Sequence, residues 1–318
     1  MENRIRKEWI DALRALAIVL VVLGHQLRGV AEYFIFTSPI KMPLFFAISG
    51  YLFKTRNGQD VDFFKNWFRK LIIPWFGLAI IAAIPRLISG HVGVTVFAMN
   101  LISGKILWFM PCFVIAEVIQ YYIRKFAQTE ITVALCCLLI TILGFVCNHL
   151  DILNFAMINR AFVVQSFFLM GFLFRSHEDM LTRKNWIIGL AAILYVALCI
   201  LSIFIFGKIS LDVHNNRYYN IPYCFTLIGL GLFTFFAAAS RTNFSNKILS
   251  VIGQNTLLTY IWHKEIILIF VFILGLIKIK IANIIVYGLL KTTWAICVCN
   301  LLARYVNKYI PALVGKKR

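Results

Sequence analysis

Long apolar runs follow one another from one end of this chain to the other, and no other feature narrows its fold as much. Of the 318 residues, 61% are hydrophobic and 14% are charged, whereas a soluble globular chain is about half apolar and a quarter charged. The runs approach the roughly 20 residues that a helix needs to cross the hydrocarbon core of a bilayer. Lipid offers no partner to a backbone N–H or C=O, so only helices and closed barrels span it. A barrel would show short alternating strands, which these runs are not. The expectation is an all-α, polytopic transmembrane helical bundle forming one domain over residues 1–318. Ten spans are expected, at 9–29, 40–54, 71–88, 105–124, 130–149, 161–175, 186–207, 223–240, 255–277 and 281–305.

The formal charge of +19 does not indicate a nucleic-acid partner. Lys and Arg lie in the short turns between apolar runs, where they encode topology. With the N-terminus inside, the inner segments hold 20 of them, including Arg4, Arg6, Lys54, Arg56, Arg69, Lys70, Lys317 and Arg318, and the outer segments hold 9, including Lys41, Arg86, Lys208 and Arg217. That bias places both termini in the cytoplasm. The eight cysteines fall inside apolar runs with no CxxC spacing, so neither a disulfide frame nor a metal site is expected. The N-terminus has the look of a signal peptide, but Asp11 and Arg14 interrupt it, and a retained first helix is expected instead.

Two stretches outside the runs stand out. Residues 54–70 end in Phe63-Phe64-Lys65-Asn66-Trp67-Phe68-Arg69-Lys70, a mixture suited to an interfacial helix beside anionic headgroups or to the phosphates of a soluble ligand. Residues 208–222 carry His214, Asn215, Asn216, Arg217, Tyr218 and Tyr219. They read as a solvated loop with interfacial tyrosines, and secondarily as a sugar-contacting surface.

Within the runs lie Asp11, Glu117, Glu265, Arg14, Lys264, Lys291, His25 and His263. A charge at the centre of a spanning helix costs about 2.5–3.5 kcal/mol on insertion scales, so such groups should face one another or water. For Lys264, Glu265 and Lys291, pairing that holds the bundle together is the simplest reading. Arg14 and His25 differ. Eleven residues at about 100° each return within about 20° of the starting azimuth and advance about 16 Å, so both side chains share a stripe, with Arg14 near the inner rim and His25 well inside. Asp11, one turn earlier, is placed to pair with Arg14. An imidazole removed from water stays neutral and can act as a base. Thr256, Tyr260 and His263, at i, i+4 and i+7, form a polar face on another apolar run, for which interhelical hydrogen bonding is an equal alternative.

The residues Glu8-Trp9-Ile10-Asp11-Ala12-Leu13-Arg14 followed by His25 resemble the Arg-(ten residues)-His signature of the acyltransferase-3 membrane proteins, bacterial O-acetyltransferases of polysaccharides and lipid-linked sugars. In family order, Pro43-Leu44-Phe45-Phe46-Ala47-Ile48-Ser49-Gly50-Tyr51, Arg69-Lys70-Leu71-Ile72-Ile73-Pro74, Leu107-Trp108-Phe109-Met110-Pro111 with Glu117, and Ile252-Gly253-Gln254-Asn255-Thr256 through Tyr260 and His263 resemble its later motifs. Fucose-4-O-acetylase-like members often have His before the second motif, where this chain has Lys41.

The resemblance implies an enzyme of a bacterial cytoplasmic membrane that uses acetyl-CoA, or another acyl-CoA, as co-substrate without a bound cofactor or metal. It implies a saccharide or lipid-linked sugar as acceptor, and Arg14 and His25 as critical residues. In this reading His25 is the general base, Asp11 orients Arg14, and Arg14, Arg69 and Lys70 hold the donor's phosphates. Ser49, Trp108, Glu117, Tyr260 and His263 are further site candidates. The rival reading is a transporter or exporter of a lipid-linked sugar or polysaccharide, since intramembrane ionisable residues also line permeation paths.

Overall fold

A computed structural model of the protein describes residues 7–53, 60–88, 90, 93–244 and 246–316. In the N-terminal third the helices are α1 (Glu8–Gln26), α2 (Ala31–Lys41), α3 (Pro43–Leu52), α4 (Asp60–Trp67), α5 (Ile73–Ile88) and α6 (Val94–Ile102). Then come α7 (Phe109–Phe126), α8 (Glu130–His149), α9 (Ile158–Val163), α10 (Gln165–Ser176) and α11 (Glu178–Thr182). The last are α12 (Asn185–Phe206), α13 (Ile221–Arg241), α14 (Lys247–Gln254), α15 (Thr256–Leu276) and α16 (Ile284–Tyr309). No strand occurs among the described residues; an isolated bridge joins Asp212 to Arg217. The protein is an all-α polytopic membrane bundle.

Every expected span falls on helix, but the ends move. Among the described residues seven helical segments are long and apolar enough to cross a membrane, or eight if α9 and α10, bent by 41° at their junction, form one broken span. The seven include 31–52, which joins α2 to α3, and 60–88, which joins α4 to α5. The first of these begins well before the expected 40–54. The other joins the described part of the 54–70 segment, from Asp60, to the next span as one helical stretch; residues 54–59 lie outside the described set. The remaining long helices, α1 and α7, have 19 and 18 residues and each carries three charged residues. Of the basic residues used to orient the chain, Arg4, Arg6, Lys54, Arg56, Lys317 and Arg318 also lie outside the described residues.

The chain divides into two compact units, each assembled from separate stretches of sequence. One comprises residues 1–52, 170–256 and 279–296. Its centre is α1, where Ala15, Ala17, Ile18 and Val22 are fully buried against α14, α13, α2 and α3. Two close approaches lock this unit. A β-carbon on Gly253 would fall 2.0 Å from the Asp11 carbonyl oxygen, and one on Gly171 would fall 1.8 Å from that of Ala47. Only glycine lets α14 meet α1, and α10 meet α3, backbone against backbone.

The other unit comprises residues 53–169, 257–278 and 297–318. Here the aromatic residues of α4 pack on α7: Phe63 stacks on Tyr121 with centroids 3.9 Å apart, and Trp67 Nε1 donates to the Val114 carbonyl at 3.3 Å. Buried Gln120 and Gln165 bond to each other at 2.7 Å, which satisfies amides that would otherwise be costly away from water.

Candidate functional site

Asp11, Arg14, His25 and Ser49 belong to the first unit. Asp11 is 2% exposed and Arg14 Nη1 lies 3.6 Å from its Oδ1, so the pairing expected from the i, i+3 spacing is present. Arg14 and His25 are both half-buried. Since α1 is helical without interruption from Glu8 to Gln26, the two share a stripe as the spacing requires. The helix ends one residue after His25, so the imidazole sits in the last turn, at the end opposite the ion pair. Ser49 is half-buried on α3, two residues from the Ala47–Gly171 contact.

The Asp11 end of this unit carries a polar cluster that sequence reasoning missed. Tyr51, 3% exposed, donates to Glu178 Oε2 at 2.6 Å and accepts from the Lys7 ammonium. Lys7 also pairs with Glu178 at 3.0 Å, Ser240 donates to the other Glu178 oxygen, and Arg175 Nη1 donates to the Tyr51 carbonyl at 3.2 Å. Burial by itself raises the Glu178 carboxyl, but the bonds from Ser240, Tyr51 and Lys7 outweigh it and hold the group below the usual carboxylate range. Trp9 packs edge-on against Tyr51 at 5.2 Å and Phe236 at 5.9 Å. Tyr51 closes the second quoted motif, which was the available signal. Glu178 sits in a connection with no pattern to mark it.

At the His25 end, residues 208–220 are a loop whose His214, Asn215 and Arg217 are exposed, as the solvated-loop reading expects, built around a backbone-paired turn. Asp212 and Arg217 exchange backbone bonds of 2.9 Å, Asn216 takes a left-handed φ of 54° and is buried, and Lys208 pairs with Glu32 at 2.5 Å.

Arg69, Lys70, Trp108, Glu117, Tyr260 and His263 belong to the second unit. Arg69 and Lys70 lie on a π-helical turn, Phe68–Ile72, between α4 and α5; such turns are frequent at functional positions. Arg69 is half-buried and donates to Asn66 Oδ1 at 3.0 Å, while Lys70 is exposed. Trp108 caps the start of α7 after Leu107, whose φ is 52°, and Glu117 is half-buried further along that helix. The Tyr260 hydroxyl accepts from the Phe109 backbone N–H at 3.2 Å, so it ties α15 to the start of α7. His263, 1% exposed, places Nδ1 3.0 and 2.9 Å from the Thr259 and Tyr260 carbonyls, contacts that a protonated Nδ1 would make as donor. Glu265 pairs with Arg86, and the Lys291 ammonium of the first unit lies 4.1 Å from the Tyr287 ring centroid. Of these intramembrane charges, Asp11 and Lys291 meet neighbours three and four residues away, whereas Glu265 meets an arginine distant in sequence.

The model of a family described as an acyltransferase domain, the acyltransferase-3 family, matches residues 7–304. The chain belongs to that family. No curated protein and no solved structure matches it. The match makes this protein a membrane acyltransferase, and it runs from Lys7 of the polar cluster, through Asp11, Arg14 and His25, past the last candidate residue, His263. An apolar cavity of about 200 Å³ in the first unit, walled by Ala47, Phe174, Phe236 and others, contains none of the acyltransferase's candidate residues.

Proposed function

We propose that this acyltransferase moves an acetyl group from acetyl-CoA to a hydroxyl of a saccharide or lipid-linked sugar, in the cytoplasmic membrane of a bacterium. The observation that carries the reading is the arrangement on α1: a guanidinium held by a buried carboxylate and an imidazole on the same stripe, about 16 Å along the axis. Coenzyme A is an anionic nucleotide on a long thin arm. Arg14 would meet its phosphate end while the thioester extends along the stripe towards His25. On the second unit, Arg69 and Lys70 form a basic turn that suits a phosphate.

In the transfer, the acceptor oxygen bonds to the thioester carbonyl carbon and the carbon–sulfur bond breaks. His25 takes the hydroxyl proton as general base and returns it to the departing thiolate, so atoms and charge balance. The test is transfer of labelled acetyl from acetyl-CoA by the purified protein in lipid. Substituting His25→Ala should abolish transfer while the protein stays folded and inserted, and Arg14→Gln should raise the KM for acetyl-CoA. Full activity in His25→Ala ends the proposal. Movement of a sugar across the bilayer without acetyl transfer would favour the carrier.

A further inference from the structure

The His25 end of α1 adjoins an ammonium that nothing in the acyl-transfer scheme uses. Lys41, at the end of α2, is half-buried. Its Nζ lies 4.2 Å from the Phe34 ring centroid and 5.8 Å from that of Tyr33. It also lies 3.5 Å from where a β-carbon on Gly24 would stand, one residue before His25. The Tyr33 hydroxyl is turned away to the Leu20 carbonyl. Among the described residues the ammonium makes no hydrogen bond or ion pair.

The acids of this region are committed elsewhere. Asp212, whose field reaches Lys41, accepts from the Asn215 side chain at 2.6 Å and from its backbone N–H at 3.2 Å. Glu32 is paired with Lys208. A partly desolvated ammonium without a counter-ion is costly, and two aromatic faces return only part of that cost. Charged groups in such places mark substrate paths.

We propose that Lys41 is an anion-binding site for the acceptor: it takes a carboxylate or phosphate carried by the sugar and so brings a neighbouring hydroxyl to His25. This rests on the acyl-transfer reading above. It makes the acceptor an acidic or phosphorylated saccharide rather than a neutral one.

The experiment uses the full-length protein in lipid nanodiscs with three probes, glucose, glucuronate and glucose 1-phosphate. It measures both equilibrium binding and transfer of labelled acetyl from acetyl-CoA. At least one charged probe should bind where glucose does not; whether that is glucuronate or the phosphate separates a sugar acid from a sugar phosphate. Lys41→Met should weaken binding of that probe and raise its KM about 10–100-fold, the usual loss when a charged hydrogen bond is removed. Meanwhile kcat and the KM for acetyl-CoA should stay near wild type, and Lys41→Arg should restore most of the affinity.

Equal binding of all three probes, no binding of either charged probe, or an unchanged KM in Lys41→Met overturns the subsite. If Lys41→Met does not fold, Lys41→Arg and the salt dependence of charged-probe binding decide the matter, since loss of affinity with added salt is required of an ionic contact. Transfer to glucose with the charged probes idle leaves the enzyme reading intact and removes this one. Binding of glucuronate through Lys41 without any acetyl transfer removes the enzyme reading, and with it the acceptor role of the site, leaving an anion site alone.

Discussion

Glu178 accepts bonds from three side chains that reach it from different parts of the chain, and its charge is what they share. Its folded value lies below the unfolded one near 4.5, because Ser240, Tyr51 and Lys7 outweigh burial. A depressed carboxylate contributes its stability in full above the unfolded value and loses it as pH falls through the folded one. In detergent, the wild type should therefore melt above Glu178→Gln from neutral pH down to about 4.5, and the gap should close on further acidification. A gap independent of pH would mean that the charge is not what the cluster uses. Tyr51→Phe removes one donor from a partly buried carboxylate and should cost about 1 kcal/mol, read as a lower melting temperature at pH 7. At this scale the sequence was informative where chemistry and periodicity coincided. Arg14, His25 and Asp11 were legible because a regular helix turns spacing into direction. Glu178 and the surroundings of Lys41 were not, since their meaning comes from partners distant in the chain.

Among the elements, helix contacts made through glycine give predictions of opposite sign. In a free helix, Gly→Ala stabilises by roughly 0.5–1 kcal/mol. At Gly253 and Gly171 the added methyl would meet backbone of the neighbouring helix inside 2.1 Å, and overpacking typically costs about 1–3 kcal/mol. Gly253→Ala and Gly171→Ala should lower the melting temperature, whereas Gly189→Ala on α12, with nothing within 4 Å, should leave it unchanged or raise it. Gly253→Ala should also depress transfer, because it displaces the backbone that carries Asp11. The elements least legible in the sequence were α2 and the π-helical turn. Glu32, Thr37, Ser38 and Pro39 break the apolar run of α2, yet 67% of the 18-residue core stretch of 31–52 is buried inside the protein, against 22–39% for the corresponding stretches of the other six. A helix shielded from lipid by protein needs less apolarity, so hydropathy understates it. The turn at 68–72 has no composition of its own to reveal it.

For the molecule as a whole, the number of crossings decides the sidedness of the ends. Seven crossings put the termini on opposite faces, and eight put them on the same face. If α1 and α7 cross as well, the total is the ten of the sequence reading and the termini again coincide. The bias of Lys and Arg favours the cytoplasm for both, so reporter fusions at residue 1 and residue 318 should both report that side; opposite readings would mean that α1, α7 or the bent α9–α10 pair does not cross. The lipid-facing surface is legible directly, in exposed Leu139, Ile142, Ile193, Phe204, Leu268 and Phe272 on α8, α12 and α15. A charge placed there, as in Leu139→Arg, should impair insertion by about 2.5–3.5 kcal/mol, seen as loss of protein from the membrane fraction.

The glycine contact between α14 and α1 also sets a timetable for biogenesis. Asp11 leaves the ribosome early and Gly253 late. At about 5–20 residues per second, the opening helix waits on the order of 10–50 s before its closest neighbour is translated. During that interval its carboxylate and guanidinium have each other, three residues apart on a single helix, so the nascent segment enters the membrane with its opposite charges already matched.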